Sequence, residues 1–293
     1  MRYVRYFFGY ISTPRVLSSI VLILCALSVI RIGGLVFSLA AFVCSICMLF
    51  EWFELIGWRV GDFFSRVLLG VISACSVLLL QTGHSSLALI VLTLTGIFCL
   101  LCISFNNIEL LRSIRKEPSV AAADVNYGLW LSGGILYCVM PALAIVWLRS
   151  EYCGFWIVLL LVAIVCSTDI GAYYIGRLFG GKKICVDISS NKTWSGAFGG
   201  LCFAIVAGLL FLWWNEVVLS FWHVGIIGFL SFVSQIGDLF ESLIKRRFGV
   251  KDSGNLIPGH GGVLDRVDGI VFVVCVVALM HLLYGAEIAV LLC

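Results

Sequence analysis

Long apolar segments, separated by shorter polar stretches, run along most of the chain. A membrane-spanning helix needs about 20 mostly apolar residues, and a helix satisfies its own backbone hydrogen bonds within lipid. An outer-membrane barrel would instead show short segments of alternating hydrophobicity. The pattern predicts an all-α polytopic membrane protein. Its nine predicted transmembrane helices lie at residues 16–30, 33–50, 67–80, 86–105, 129–148, 153–175, 196–214, 222–241 and 268–286.

The composition indicates that lipid is the main solvent of these segments. The chain has a mean hydropathy of +1.13 and only 12% charged residues, against about 25% in a typical soluble domain. With nine spans, all Lys and Arg residues except Arg31 and Arg149 lie on the side of the N-terminus. Cytoplasmic segments are the ones enriched in Lys and Arg. We therefore expect an outward-facing C-terminus, a cytoplasmic N-terminus and cytoplasmic loops at 51–66, 106–128, 176–195 and 242–267.

The distribution of polar residues divides the chain into two parts. Residues 1–128 contain four of the predicted spans, joined by mostly short connections. Residues 129–293 contain the other five, and the polar residues of this part gather in the loops 176–195 and 242–267. Both loops are predicted on the same side of the membrane, so they can meet there. We expect the second part to be the catalytic region.

Acidic residues lie close to both loops. Asp169 falls inside the sixth predicted span, where an ionisable group usually faces a cavity or the protein interior. Asp238 lies near the cytoplasmic end of the eighth span, and Asp265 and Asp268 are three residues apart at the start of the ninth. Converging carboxylates are suited to Mg²⁺, which is usually held by one or two carboxylates, water and substrate phosphate. The alternative is that these acids form structural salt bridges with Arg246, Arg247 or Arg266.

Glycine and basic residues surround the acids of the second loop. Gly259, Gly261 and Gly262 flank His260 in a predicted tight turn. Glycines allow backbone N–H groups to approach a ligand closely, and such groups attract anions. The basic residues nearby make phosphate the expected ligand; they are Lys245, Arg246 and Lys251. Two roles are open for His260: contact with phosphate or support of the turn.

The spacing of these residues resembles a known family. From Ser242 to Asp268 the chain reads S-x2-K-R-x4-K-D-x5-P-G-H-G-G-x2-D-R-x-D, which is similar to the signature of the phosphatidate cytidylyltransferases, the bacterial CDP-diacylglycerol synthases. Residues 168–180 and 188–196 also resemble the family. Ser190 and Ser195 depart from the Pro and Glu that are usual in the family at these positions.

The resemblance implies a reaction and a location. CTP and phosphatidate would react to give CDP-diacylglycerol and pyrophosphate, with Mg²⁺ as cofactor, on the cytoplasmic side of a bacterial inner membrane. Asp238, Asp265 and Asp268 would bind the metal. The expected partners are the two substrates and membrane lipid, without nucleic acid. A two-fold homodimer is compatible with the sequence, although no feature of the sequence predicts one.

The remaining site residues are expected to bind substrates. Lys245, Arg246 and Lys251 are predicted to act on the CTP phosphates or the leaving pyrophosphate. The predicted substrate-binding set is Asp169, Ser189, Lys192, Thr193, Ser242, Asp252, Gly259, His260, Gly261, Gly262 and Arg266. Two other functions stay open: a CTP-dependent lipid kinase, which would release CDP, and a transporter without catalysis, because intramembrane acids also mark ion pathways.

Overall fold

The computed structural model describes residues 13–57, 70–71, 75–80, 90, 94, 97, 127–254, 256 and 261–284. Helices make up most of this part of the chain, which also contains a two-stranded antiparallel hairpin. The helices with described bounds are α1 Thr13–Ile32, α2 Gly34–Leu55, α3 Tyr127–Ser150, α4 Gly154–Phe179, α5 Trp194–Trp214, α6 Phe221–Arg247 and α7 Leu264–Tyr284. The hairpin strands are β1 Lys183–Cys185 and β2 Ser189–Thr193.

Six of these helices, α2 to α7, are long and apolar enough to cross a membrane. This finding agrees with the predicted class, a polytopic helical membrane protein. Six of the 14 residues of the predicted span 67–80 and 17 of the 20 residues of the predicted span 86–105 lie outside the described residues. The count of nine spans and the sidedness of the termini therefore stay predictions.

Several helices extend into segments predicted as loops. Helix α6 continues to Arg247, so Ser242, Lys245 and Arg246 lie on a helix and not in the loop predicted at 242–267. Cations in the last turn stabilise the helix C-terminus, whose exposed carbonyl groups carry partial negative charge. Helix α2 likewise continues to Leu55, into the loop predicted at 51–66.

Glycines bring α4 and α5 into backbone contact. A Cβ atom added to Gly199 would lie 2.3 Å from Cβ of Ile175, and one added to Gly200 would lie 2.7 Å from the carbonyl oxygen of Thr168. Small residues let helices in a membrane approach each other closely, so that dispersion contacts and interhelical hydrogen bonds hold them. The hydroxyl of Thr168 donates to the hydroxyl of Ser231 on α6 at 2.8 Å. Helices α4, α5 and α6 thus form one packed unit.

The crossing of α6 and α7 is equally close. A Cβ atom on Gly237 would lie 2.6 Å from the carbonyl oxygen of Asp268, and one on Gly269 would lie 2.6 Å from the hydroxyl oxygen of Ser234. Each glycine is next to an aspartate in sequence. The crossing therefore brings the acidic residues of the two helices together.

Helix α2 is fixed to the rest of the molecule by Trp52. The indole N–H of Trp52 donates to the carbonyl oxygen of Trp130 on α3 at 2.9 Å. The Trp52 ring centroid lies 5.3 Å from that of Tyr137, and Gly134 leaves the space that the indole occupies. These contacts hold the end of α2 against α3.

Candidate active site

Four carboxylates lie near one another on α4, α6 and α7. Asp238 and Glu241 are one helical turn apart on α6, and they are within electrostatic range of Asp268 on α7. Asp169 of α4 is in range of Asp238 and Asp268. Glu241 is 2% exposed, and neither of its carboxylate oxygens accepts a well-aligned hydrogen bond within the described part of the chain. This group of side chains, Asp169, Asp238, Glu241 and Asp268, is called the acid cluster below.

Two lysines balance part of this charge. Lys192 of β2 forms an ion pair with Asp238. Lys245, one turn beyond Glu241 on α6, has its Nζ atom 3.3 Å from Oε1 of Glu241 and 2.6 Å from Oδ1 of Asp265. The partners of Asp238 and Asp265 are thus lysines, whereas the alternative considered from sequence was pairing with arginines. Lys192 thus contacts one carboxylate of the site, and Lys245 contacts two.

Asp265 orders the loop that precedes α7. While Oδ1 contacts Lys245, Oδ2 accepts hydrogen bonds from the backbone N–H of Ser253 at 3.0 Å and of Gly262 at 3.2 Å. Gly261 has a φ of +84°, a conformation that side-chain-bearing residues rarely adopt. The side chain of Asp265 therefore contacts the loop and Lys245, whereas Asp268, only three residues later, belongs to the acid cluster.

The hairpin joins the site from the other polar loop. Besides the contact of Lys192 with Asp238, the guanidinium Nε of Arg246 donates to the carbonyl oxygen of Ile188 at 3.3 Å. The side chain of Thr193 accepts a hydrogen bond from the N–H of Gly196 at 3.1 Å and so caps α5. Ser195 donates to the carbonyl oxygen of Gly180. The expected meeting of the two polar loops is confirmed by these contacts.

The other predicted residues have varied surroundings. Ser189 and Ser242 are half-buried, whereas Lys251, Asp252 and Arg266 are exposed. Gly262 is buried next to Ser253. Gly259 and His260 lie outside the described residues, so their predicted contacts with phosphate stay predictions.

Three residues of the site region were not assigned a role from sequence. Glu241 lies three residues after Asp238 and four before Lys245, so the three share one face of α6. This spacing alone assigns Glu241 no role. Glu51 was placed in a loop, although it is buried in α2 with 3% exposure. The hydroxyl of Tyr137 on α3 is buried without a hydrogen-bond partner in the described structure, and it lies within electrostatic range of Glu241 and Asp268. A sequence signal for Glu51 and Glu241 does exist, because each is an acidic residue at the end of a predicted apolar segment.

This arrangement can bind a phosphate-bearing substrate by charge. Lysine ammonium groups are phosphate ligands, and hard carboxylate oxygens suit a hydrated divalent cation. Among the described side chains, no three of Asp, Glu, His or Cys form a ready-made metal site. The fold and site define a polytopic helical membrane protein with a mixed acid and lysine site at its helix ends.

Comparison with known proteins supplies the family. The chain belongs to the cytidylyltransferase family, which it matches over residues 13–284. It is 38% identical over 279 residues to a phosphatidate cytidylyltransferase of Brucella suis biovar 1 (strain 1330), covering 94% of this chain and 93% of the relative. A phosphatidate cytidylyltransferase of Staphylococcus epidermidis (strain ATCC 12228 / FDA PCI 1200) is 34% identical over 261 residues, or 88% of this chain and 95% of the relative. These matches confirm the family resemblance seen in the sequence.

Proposed function

We propose that this protein transfers the cytidylyl group of CTP to phosphatidate and forms CDP-diacylglycerol and pyrophosphate. A phosphate oxygen of phosphatidate attacks the α-phosphorus of CTP, and the bond from that phosphorus to the pyrophosphate oxygen breaks. The observation that carries the proposal is the acid cluster with Lys192 and Lys245, in a chain that matches phosphatidate cytidylyltransferases over nearly its whole length. The apolar helices around the site give a lipid substrate access from the membrane.

The chain's residues act mainly by binding and charge. A phosphomonoester carries roughly −1.5 to −2 charge near pH 7, so phosphatidate needs no general base before attack. The difficulty is the approach of two polyanions. The ammonium groups of Lys192 and Lys245 would offset this repulsion, and positioning would supply much of the rate, as in other phosphoryl transfers.

We assign the remaining residues as the sequence predicts. Arg246 and Lys251 would bind CTP phosphates or pyrophosphate together with Lys245. Arg246 is held near the hairpin by its bond to Ile188, which supports a position beside the substrate. Nucleotide or lipid headgroup would be bound by Asp169, Ser189, Lys192, Thr193, Ser242, Asp252, Gly259, His260, Gly261, Gly262 and Arg266.

Mg²⁺ is the cofactor that suits these residues. The acid cluster offers only carboxylate oxygens as ligands, and the two oxygens of Glu241 are buried without a well-aligned hydrogen bond, although Oε1 lies 3.3 Å from Nζ of Lys245. Asp238 and Asp268 would hold the ion, and Glu241 would be a further ligand. Asp265, the third predicted ligand, has donors on both oxygens, so it would coordinate only after exchanging one of them. When bound, the ion would neutralise charge on the phosphate oxygens.

The site is proposed to face the cytoplasm of a bacterial cell from its inner membrane. Support comes from the concentration of Lys and Arg in the predicted loops on one side. We retain a homodimer as a proposal, although no contact in the described part of the chain favours it.

The test is an assay of the purified protein in detergent with phosphatidate, Mg²⁺ and CTP labelled at the α-phosphate. We expect label in the lipid fraction and an equal amount of pyrophosphate. Release of CDP without label in the lipid would replace the proposal with a lipid kinase. If no lipid and no divalent cation supports turnover, the transporter becomes the better explanation, and vesicle transport without CTP hydrolysis would establish it.

A further inference from the structure

Glu51 of α2 makes contacts that link the N-terminal helices to the loop before α7. Its Oε1 atom accepts a hydrogen bond from the backbone N–H of Val263 at 2.7 Å. Its Oε2 atom accepts from the N–H of Leu264 at 2.9 Å and from the hydroxyl of Ser253 at 3.1 Å. All three donors lie in or next to the loop 248–263, more than 200 positions later in the sequence.

These contacts cap α7 with a side chain from another helix. The first N–H groups of a helix have no partner within the helix, and a carboxylate near them is stabilised by their partial positive charge. Helix α7 begins at Leu264, whose N–H and that of Val263 both point to Glu51. The start of α7 is therefore set by a residue of α2.

Two glycines of the loop, Gly254 and Gly262, lie close against the side chain of Glu51. A Cβ atom on Gly262 would lie 2.6 Å from Oε2 of Glu51, and one on Gly254 would lie 3.1 Å from its Cγ atom. Any side chain at Gly262 would displace Glu51 or the loop. The loop and Glu51 are thus closely fitted, beyond a single hydrogen bond.

Glu51 and Asp265 hold the same loop from two sides. Ser253 donates its hydroxyl to Glu51 and its backbone N–H to Asp265. Gly262 donates to Asp265, and the next residue, Val263, donates to Glu51. Asp265 also contacts Lys245 at 2.6 Å, so a chain of contacts links Glu51 through the loop to the lysine beside the acid cluster.

We propose that Glu51 is a positioning residue of the active site, which fixes the first turn of α7 and thereby the placement of Asp265, Asp268 and Lys245. The proposal rests on the proposed cytidylyltransferase function for its catalytic consequence. Its structural consequence, protection of the amides at the start of α7, is independent of that function. In the described part of the chain, the hydrogen bonds of Glu51 go to Ser253, Val263 and Leu264 and not to the acid cluster.

The test compares Glu51→Gln with Glu54→Gln, an exposed glutamate one turn later on the same helix. Glutamine retains the size of the side chain but offers an NH2 group to one of the donors. We expect Glu51→Gln to reduce kcat about tenfold and to raise the Mg²⁺ concentration for half-maximal turnover about tenfold, as for other residues that orient metal ligands. We expect hydrogen exchange at Val263 and Leu264 to accelerate about tenfold, while Glu54→Gln stays within about twofold of wild type in all three measurements.

Each outcome bears on one of the two proposals. Unchanged amide exchange and unchanged Mg²⁺ dependence in Glu51→Gln would overturn the positioning role. A lower kcat with an unchanged Mg²⁺ midpoint would also overturn it, because a general loss of folded protein gives that result. If wild type fails to transfer the cytidylyl group, the proposed function fails, and faster exchange in Glu51→Gln still supports the cap. If Glu51→Gln does not fold, Glu51→Asp keeps the charge but shortens the side chain away from both amides; faster exchange at Val263 and Leu264 then supports the proposal, and wild-type exchange overturns it.

Discussion

At the residue scale, the site depends on charges that hold one another. Lys245 and Asp265 have side-chain exposures of 12% and 11% and lie 2.6 Å apart. Removing one partner of such a pair leaves the other charge desolvated and unpaired. Asp265 has a second role, because its Oδ2 atom accepts hydrogen bonds from two backbone amides of the loop. A neutral substitution therefore affects both the lysine and the loop.

We expect Asp265→Asn to abolish cytidylyl transfer while the protein still inserts and folds. The amide can replace neither the charge beside Lys245 nor both acceptor positions. The measurement is transfer of α-labelled CTP to lipid by purified protein, with Asp187→Asn, an exposed hairpin residue, as the control. Near-normal activity of Asp265→Asn would contradict the role assigned to this carboxylate.

Lys245→Met tests the same pair from the side of the lysine. Methionine retains much of the apolar stem but leaves Asp265 and Glu241 without their ammonium partner. We expect a loss of stability of roughly 1–3 kcal/mol, below the value for fully buried pairs because part of the site is hydrated. Thermal unfolding in detergent measures this loss; an unfolding temperature equal to that of wild type would mean that the pair contributes little.

At the element scale, glycines decide how closely the acidic helices approach. Gly237 allows the backbone of α6 to meet the carbonyl oxygen of Asp268 on α7. The hairpin is then attached to the same helix ends by Lys192. The placement of Asp238 beside Asp268 follows from this close crossing, because each aspartate is adjacent to a contact glycine.

Gly237→Ala should separate α6 from α7 and reduce activity. The added methyl group would lie 2.6 Å from a backbone oxygen, and overpacking of this kind is destabilising by roughly 1–3 kcal/mol. Gly225→Ala on the same helix is the matched control, since its Cβ atom would meet nothing within 4 Å. Turnover and thermal unfolding of the two variants are to be compared; equal values would exclude the crossing as a determinant of the site.

At the scale of the whole molecule, the N-terminal helices take part in the site. The predicted division at residue 128 separates Glu51 from α7, the helix that it caps, yet the two are in direct contact. Residues before the division therefore help to build the region assigned to catalysis. The membrane topology is also a property of the whole molecule, and the distribution of Lys and Arg in the sequence predicts it.

We expect the N-terminus and the polar loops on the cytoplasmic side and the C-terminus outside. An odd number of spans requires this opposition of the termini, and the Lys and Arg distribution sets its direction. A C-terminal alkaline phosphatase fusion, which is active only outside the cytoplasm, should be active, whereas a C-terminal GFP fusion should be dark. The reverse pattern would place the C-terminus in the cytoplasm and contradict the predicted topology.

The sequence by itself determined the class of protein, and it predicts where the chemistry of the protein lies. Apolar segments long enough to cross lipid are local features, and so is the fixed spacing of residues from Ser242 to Asp268. The helical spacing of Asp238 and Lys245 also places them on one face of α6 without further information. Each of these inferences needs only neighbouring residues.

Only the tertiary structure decided which of these groups meet. Spacing could not show that Lys192 pairs with Asp238, that Asp265 turns to the loop while Asp268 faces the acid cluster, or that Glu51 caps α7. Such pairs depend on how closely helices cross and at which residue. That distance is set by glycines such as Gly237 and Gly269 fitting against distant backbone, which no local pattern of the sequence encodes.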